Sequence, residues 1–247
     1  PGCCHLVSAC LPMQIWHRLI ERLIMRIETT EILIIGAGPA GSVAAGFLRQ
    51  QDRQVLIIEK EQFPRFSIGE SLLPQSMEYI EAAGMLQAVV EAGFQYKNGA
   101  AFARGDKHTS FDFRKKFSDG WGTTYQVQRA DFDKVLADCA EKAGAEVRYR
   151  HEVTAIDVES EKPCVTVKSP DGEIYQVQAQ FLLDASGFGR ILPRLLKLEK
   201  PSNFPTRGAI FTHVQDNMPI GSFDRNKILV TVHPEHCDVW YWTIPFS

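Results

Sequence analysis

An α/β fold is predicted by three observations. A four-residue apolar run, Ile32–Ile35, leads into a glycine cluster and a helix-forming stretch at Ala40–Gln50. A second apolar run, Val55–Ile58, follows at once and closes on Glu59. Farther along, short strand-like runs alternate with an amphipathic stretch at Ala130–Ala143, where Phe132, Val135, Leu136, Cys139 and Ala140 share one helical face. Strand, helix and strand in that order make a βαβ unit with a parallel sheet.

Composition narrows the class. The chain of 247 residues is 45% hydrophobic and carries 27 Lys and Arg against 30 Asp and Glu, for a net charge of −3. These values exclude disorder and collagen and leave no electrostatic footprint for nucleic acid. The length exceeds the roughly 100–200 residues of a typical domain without forcing two cores, so one large domain or one with a grafted subdomain is expected. Six cysteines (Cys3, Cys4, Cys10, Cys139, Cys164, Cys237) show no repeated C-x-x-C spacing, which argues against a disulfide framework or zinc knuckle and points to a reducing cytoplasm. No metal site is expected. No apolar run reaches the ~18 residues of a membrane span, because Pro12, Arg18, Glu21 and Arg22 interrupt the one candidate.

That candidate segment places Ile15, Trp16, Leu19, Ile20, Leu23, Ile24 and Ile27 at helical spacing. It reads either as an amphipathic surface anchor or as sequence ahead of a true start at Met25. The second is preferred because Met25 stands just before the first strand, so residues 1–29 are expected to be a leader or non-native extension and 30–247 the folded domain. After the βαβ unit, helical stretches are expected near Ser76–Ala92 and strands at Gly99–Arg104, Thr109–Phe113 and Thr123–Val127. Short strands at Glu146–Arg150 and Val153–Val158 precede a hairpin, Cys164–Lys168 with Ile174–Gln178, around the turn Pro170-Asp171-Gly172. Phe181–Asp184 then returns to the core. A short helix near Arg190–Leu196 and strands at Ala209–Val214, Lys227–Val232 and Val239–Thr243 complete the chain. A sheet that stops just after a strand suggests a piece of a longer protein.

The glycine cluster Gly36-Ala37-Gly38-Pro39-Ala40-Gly41 is G-x-G-x-x-G set between strand and helix. Gly36 permits the tight turn, Gly38 lets backbone N–H groups approach a pyrophosphate at the helix N-terminus, and Gly41 lets helix and strand pack closely. Glu59 lies 18 residues after Gly41, at a strand end where its carboxylate can accept from a ribose. Together they predict dinucleotide binding. No second nucleotide fingerprint follows, so NAD(P)H is not expected to bind stably. His233-Pro234-Glu235-His236-Cys237 reads as a turn rather than a metal site.

Five stretches carry a resemblance to a known family. Leu182-Leu183-Asp184-Ala185-Ser186-Gly187 resembles the second flavin contact of the glutathione-reductase-like FAD fold, although alone it could be a strand end and turn. Phe63-Pro64-Arg65-Phe66-Ser67-Ile68-Gly69-Glu70-Ser71-Leu72-Leu73-Pro74 resembles the R-F-x-x-G-E-S-L-L-P signature of flavin-dependent halogenases and related FAD-dependent monooxygenases. Phe94 to Phe102 is similar to the family's F-x-x-K-x-G-A-x-F, and Trp240-Tyr241-Trp242-Thr243-Ile244-Pro245 to its W-x-W-x-I-P. Gln126 to Asp133 resembles Q-V-x-R-x-x-F-D. The resemblance runs from Ile32 to Pro245. The family's later Gly-Asp flavin motif, second halogenase signature and much of its substrate pocket would lie beyond the sequence.

The resemblance implies a Rossmann-like FAD-binding domain with a β-hairpin insertion and a partial substrate-domain sheet, strands about 99–127 and 206–245. FAD contacts are expected from Gly36, Gly38, Pro39, Ala40, Gly41 and Glu59, from Gly69, Glu70 and Ser71, and from Arg129, Val153, Asp184 and Gly187. Reduced FAD from a separate flavin reductase, with oxygen and chloride or bromide, would yield hypohalous acid. Lys97 would receive the oxidised halogen, and Trp240 and Trp242 would wall the flavin off from organic substrate. The substrate would be a small electron-rich aromatic, free or carried on a carrier protein. Two other readings stay open: an FAD monooxygenase or prenyl reductase of the same fold, which needs neither Lys97 nor the tryptophans, and a non-catalytic flavin-binding fragment.

Overall fold

The computed structural model describes residues 25–246, so the amphipathic segment and the leader ahead of Met25 lie outside the described residues. Strand β1 (Ile27–Ile35), helix α1 (Pro39–Arg49) and strand β2 (Val55–Ile58) form the expected βαβ unit. Helices α2 (Pro74–Ala82) and α3 (Leu86–Glu91) follow. Then come strands β3 (Gln95–Lys97), β4 (Gly99–Arg104), β5 (Lys107–Asp112) and β6 (Thr124–Gln126), and helix α4 (Arg129–Lys142). Strands β7 (Glu146–Arg148), β8 (Glu152–Asp157), β9 (Cys164–Lys168) and β10 (Ile174–Asp184) precede helix α5 (Ile191–Leu195) and strands β11 (Lys227–Val232) and β12 (Trp240–Thr243).

Six strands make the main sheet in the order β7-β2-β1-β10-β9-β8. β2 and β10 flank β1 in parallel, and β7 runs parallel to β2, while β8 and β9 form the antiparallel insertion. Side chains alternate along β1 and so feed two cores. Ile32 and Ile34 pack with Phe132, Leu136 and Ala140 of α4, and Leu33 and Ile35 pack with Val165, Val167, Tyr175 and Val177 of the insertion. Full burial of Phe132 or Leu136 stabilises the fold by about 1.5–3 kcal/mol each. A second sheet, β12-β11-β4-β5, falls in the two spans expected to form a substrate-domain sheet, while β6 from the first span pairs with β3 in a small third one.

The structure corrects three expectations. The hairpin arm at 174–178 and the core strand at 181–184 are one strand of 11 residues, because β1 pairs with it continuously from Gln176 to Asp184. Its early half is shared with β9, its late half with the core. Ile27–Thr29, placed in the leader, belong to β1 and pair with Gln176–Gln178. Ala209–Val214 forms no strand: apolar alternation makes one only where a neighbouring strand supplies a ladder, and here Ile210 is fully exposed while Phe211 stacks on Phe66 at 4.9 Å.

Candidate functional site

The parallel strands β1, β2 and β10 end level with one another at Ile35, Ile58 and Asp184. A crevice at the carboxyl ends of such strands, where the crossovers diverge, is where α/β sheets bind ligands. Here it is a cleft of about 770 Å³. Gly36, Gly38, Pro39, Ala40 and Glu59 line one side, and Arg129, Val153 and Gly187 line the rest with Arg65, Phe66 and Ser67.

The three glycines do different work. Gly36 has φ +99°, and a Cβ on it would stand 2.7 Å from the Ala185 carbonyl oxygen. A Cβ on Gly41 would fall 2.0 Å from the Gly36 carbonyl oxygen, so this glycine permits the close strand–helix packing and lies beneath the cleft surface. Gly38 is the N-cap of α1, and a Cβ there would meet only Arg65 Nη2, at 3.6 Å, in otherwise open space. Pro39 opens the helix and no side chain caps it. Its positive end therefore faces the cleft as an anion cradle.

Glu59 is buried beside the glycine turn. Its Oε2 accepts the Ala37 N–H and its Oε1 the Glu61 N–H, both at 2.8 Å. Each carboxylate oxygen has a second lone pair for a sugar hydroxyl. Backbone N–H groups at a helix end, a fixed acceptor carboxylate and two guanidiniums form a donor and acceptor set that fits a dinucleotide diphosphate and its ribose. Val153, on β8, also lines the cleft.

Asp184 does not line the cleft. Its Oδ1 accepts the Ser186 N–H and its Oδ2 the Leu192 N–H, each at 2.9 Å, so it shapes the turn that presents Ser186 and Gly187. Gly69, Glu70 and Ser71 also lie off the lining, farther along the loop that supplies Arg65, Phe66 and Ser67. Gly69 has φ +104°, Glu70 folds its carboxylate onto the Gly69 N–H at 2.7 Å, and Ser71 bridges to Gln126. Arg129 Nη1 donates to the Ile68 carbonyl at 2.6 Å, which ties α4 to the same loop.

Lys97 ends β3 and is 2% exposed. Its Nζ donates to the Leu72 carbonyl at 2.6 Å and lies 5.2 Å from the Phe113 ring centroid. Burial pushes its ammonium down from 10.5 to about 8. Thr124 stands opposite Lys97 in the β3–β6 ladder, with Gln126 on the same face. Thr124 Oγ1, Gln126 Oε1 and the neighbouring Ser71 Oγ are buried without a hydrogen-bond partner. This polar row beside Lys97 was not legible as a site in the sequence.

Trp240 and Trp242 share a face of β12 and are 57% and 59% exposed. Through β11, Trp242 stands level with Phe102 of β4, five residues beyond Lys97. Lys97 is in the separate β3–β6 sheet, so no strand ladder links the pair to the amine. Two further charged residues were quoted within motifs but given no role: Arg65, and Asp133, which is wholly buried between Arg65 and Arg129. Opposite charges in two motifs distant in sequence were the available signal. The His233 to Cys237 segment is a turn in which His233 Nδ1 accepts the N–H groups of Glu235 and His236.

Comparison with known proteins places these observations. Residues 29–229 match the model of the FAD binding domain family. A tryptophan 2-halogenase of Chondromyces crocatus is 38% identical over 162 residues, which cover 65% of this chain and 30% of that protein. A brominase of the pyrrole-2-carbonyl group on a peptidyl-carrier protein, from Pseudoalteromonas luteoviolacea, is 32% identical over 89% of this chain and 53% of its own length. A solved flavoprotein/dehydrogenase of Cytophaga hutchinsonii superposes with a TM-score of 0.84 at 45% identity, covering 89% of this chain and 53% of that one. The chain thus spans about half or less of each relative.

Proposed function

The chain belongs to the FAD binding domain family, and from that premise we propose that it is the flavin-binding part of a flavin-dependent halogenase acting on an electron-rich aromatic ring. The observation that carries this is Lys97, a buried amine whose pKa is lowered to about 8 and which donates to Leu72 on the loop that also walls the cleft. When bound, reduced FAD with oxygen supplies the oxidising equivalent that converts halide to hypohalous acid. A neutral Lys97 Nζ then accepts a hydrogen bond from that acid, or takes its halogen and releases water. Attack by the ring on the nitrogen-bound halogen forms the carbon–halogen bond, and the ring proton leaves in exchange.

Ammonium has no lone pair for either step, so desolvation that lowers the pKa serves the chemistry directly. The tryptophan pair, on a different sheet from Lys97, is assigned control of access between flavin and organic substrate. The relatives' substrates, tryptophan in one and a carrier-bound pyrrole in the other, support the aromatic class. A separate flavin reductase and chloride or bromide complete the proposal.

The experiment is mass spectrometry of a phenol or pyrrole incubated with bromide, oxygen and a flavin-reducing system, using the protein that carries this chain. Lys97→Ala is expected to leave flavin reoxidation nearly intact and eliminate brominated product, and Lys97→Arg to fail likewise. Undiminished product from Lys97→Ala removes the lysine from the mechanism. A second reading, flavin oxidoreduction without halogenation, is favoured by the likeness to the flavoprotein/dehydrogenase. Hydroxylated or reduced product with no halide incorporated would select it.

A further inference from the structure

The Asp133 carboxylate is 0% exposed and lies under the cleft floor between two cations. Arg129 grips it from one turn back on α4, with Nε 2.7 Å from Oδ1 and Nη2 2.9 Å from Oδ2. Arg65 comes from the loop after β2, its Nη1 3.0 Å from Asp133 Oδ2, with its guanidinium 4.7 Å from the Phe63 ring centroid. Arg65 Nη1 is buried and makes no hydrogen bond despite this charge contact, and Nη2 points at the open side of Gly38. Both arginines line the cleft. Two cations against one carboxylate leave a single net positive charge facing the N-terminus of α1.

We propose that Arg65 is a diphosphate-binding residue of the FAD site and that Asp133 is the positioning residue that aims Arg65 and Arg129 into it. This rests on the flavin reading above. The buried carboxylate fixes two long side chains that would otherwise lose rotamer freedom on binding, and the ion pairs hold Arg65 over the glycine turn where a diphosphate meets the helix. Charge counting and positioning make opposite predictions for Asp133→Asn. Removing a negative charge from the floor would tighten the grip on an anion if net charge were what mattered. If the carboxylate acts by aiming guanidiniums, the same change weakens it.

The test is titration of the chain with FAD and with riboflavin, which lacks the diphosphate, for the unmutated protein, Asp133→Asn and Arg65→Gln, each checked by thermal unfolding. Both variants are expected to lose FAD affinity by about tenfold to a hundredfold, with riboflavin affinity unchanged. Arg65→Gln, at a partly exposed side chain, keeps the test valid should Asp133→Asn prove unstable. Unchanged or tighter FAD binding by either folded variant overturns the proposal, as does an equal loss for riboflavin, which marks a general structural effect. An unmutated chain that binds no FAD overturns the flavin reading itself, and this proposal with it.

Discussion

Lys97 Nζ donates to the Leu72 carbonyl at 2.6 Å, and Leu72 lies on the loop whose Arg65, Phe66 and Ser67 wall the cleft. The loop thus links the proposed anion cradle to the buried amine. Because Lys97 sits at about 8 in the fold against 10.5 unfolded, its ammonium is destabilising below pH 8. Stability is recovered as pH rises from about 8 to 10.5, where the unfolded chain binds the extra proton. Urea unfolding of Lys97→Met should show greater stability than the unmutated chain at pH 7, by up to roughly 3 kcal/mol, with the gap closing above pH 10. A constant gap across that range would place the amine in a solvated environment.

The same titration bears on chemistry. Bromination is expected to rise as pH passes through about 8, as the neutral fraction of Lys97 grows. Product yield at constant flavin turnover measures it, and a flat yield from pH 6.5 to 9 would mean that the amine's charge is irrelevant.

Gly41 and Gly38 should separate fold from binding. Gly41→Ala puts a methyl where the Gly36 carbonyl stands, 2.0 Å away, and is expected to destabilise the chain by about 1–3 kcal/mol or more. Gly38→Ala meets no atom nearer than 3.6 Å and should lower the unfolding midpoint only by the small loss of replacing an N-cap glycine, about 1 kcal/mol or less. Denaturation midpoints of the two variants decide this.

In the helix-side core, Leu136→Ala is expected to cost about 2–5 kcal/mol, since Leu136 is fully buried against β1 and its neighbours. Thr124→Val should cost nothing or stabilise slightly, because the hydroxyl it removes is buried without a partner. Urea unfolding checks both. A marked loss from Thr124→Val would show that the hydroxyl has a partner.

The elements most legible in the sequence are those with a strong local signal. Apolar runs marked β1 and β2, the 3.6-residue period marked α4, and the glycine triplet between strand and helix located the anion cradle. Long-range pairing was not legible. Nothing local shows that Gln178 and Phe181 belong to one strand, since the continuous partner is β1, over a hundred residues away. Ala209–Val214 alternates like a strand, yet alternation carries no information about whether a ladder exists. Asp184 was expected at the flavin through the resemblance of Leu182–Gly187 to a flavin-contact motif, and in the structure the backbone N–H groups of Ser186 and Leu192 take its carboxylate. Arg65 and Asp133 are 68 positions apart, and only the docking of α4 against the loop brings them to 3.0 Å.

The central claim is that this cleft holds FAD with its diphosphate over Gly38, and flavin retention through gel filtration tests it most directly. The unmutated chain, mixed with FAD and passed through the column, should elute with flavin absorbance, while Gly38→Val should elute folded and colourless, its side chain filling the cradle. A folded Gly38→Val that still carries flavin, or an unmutated chain that retains NAD and no flavin, would contradict the account.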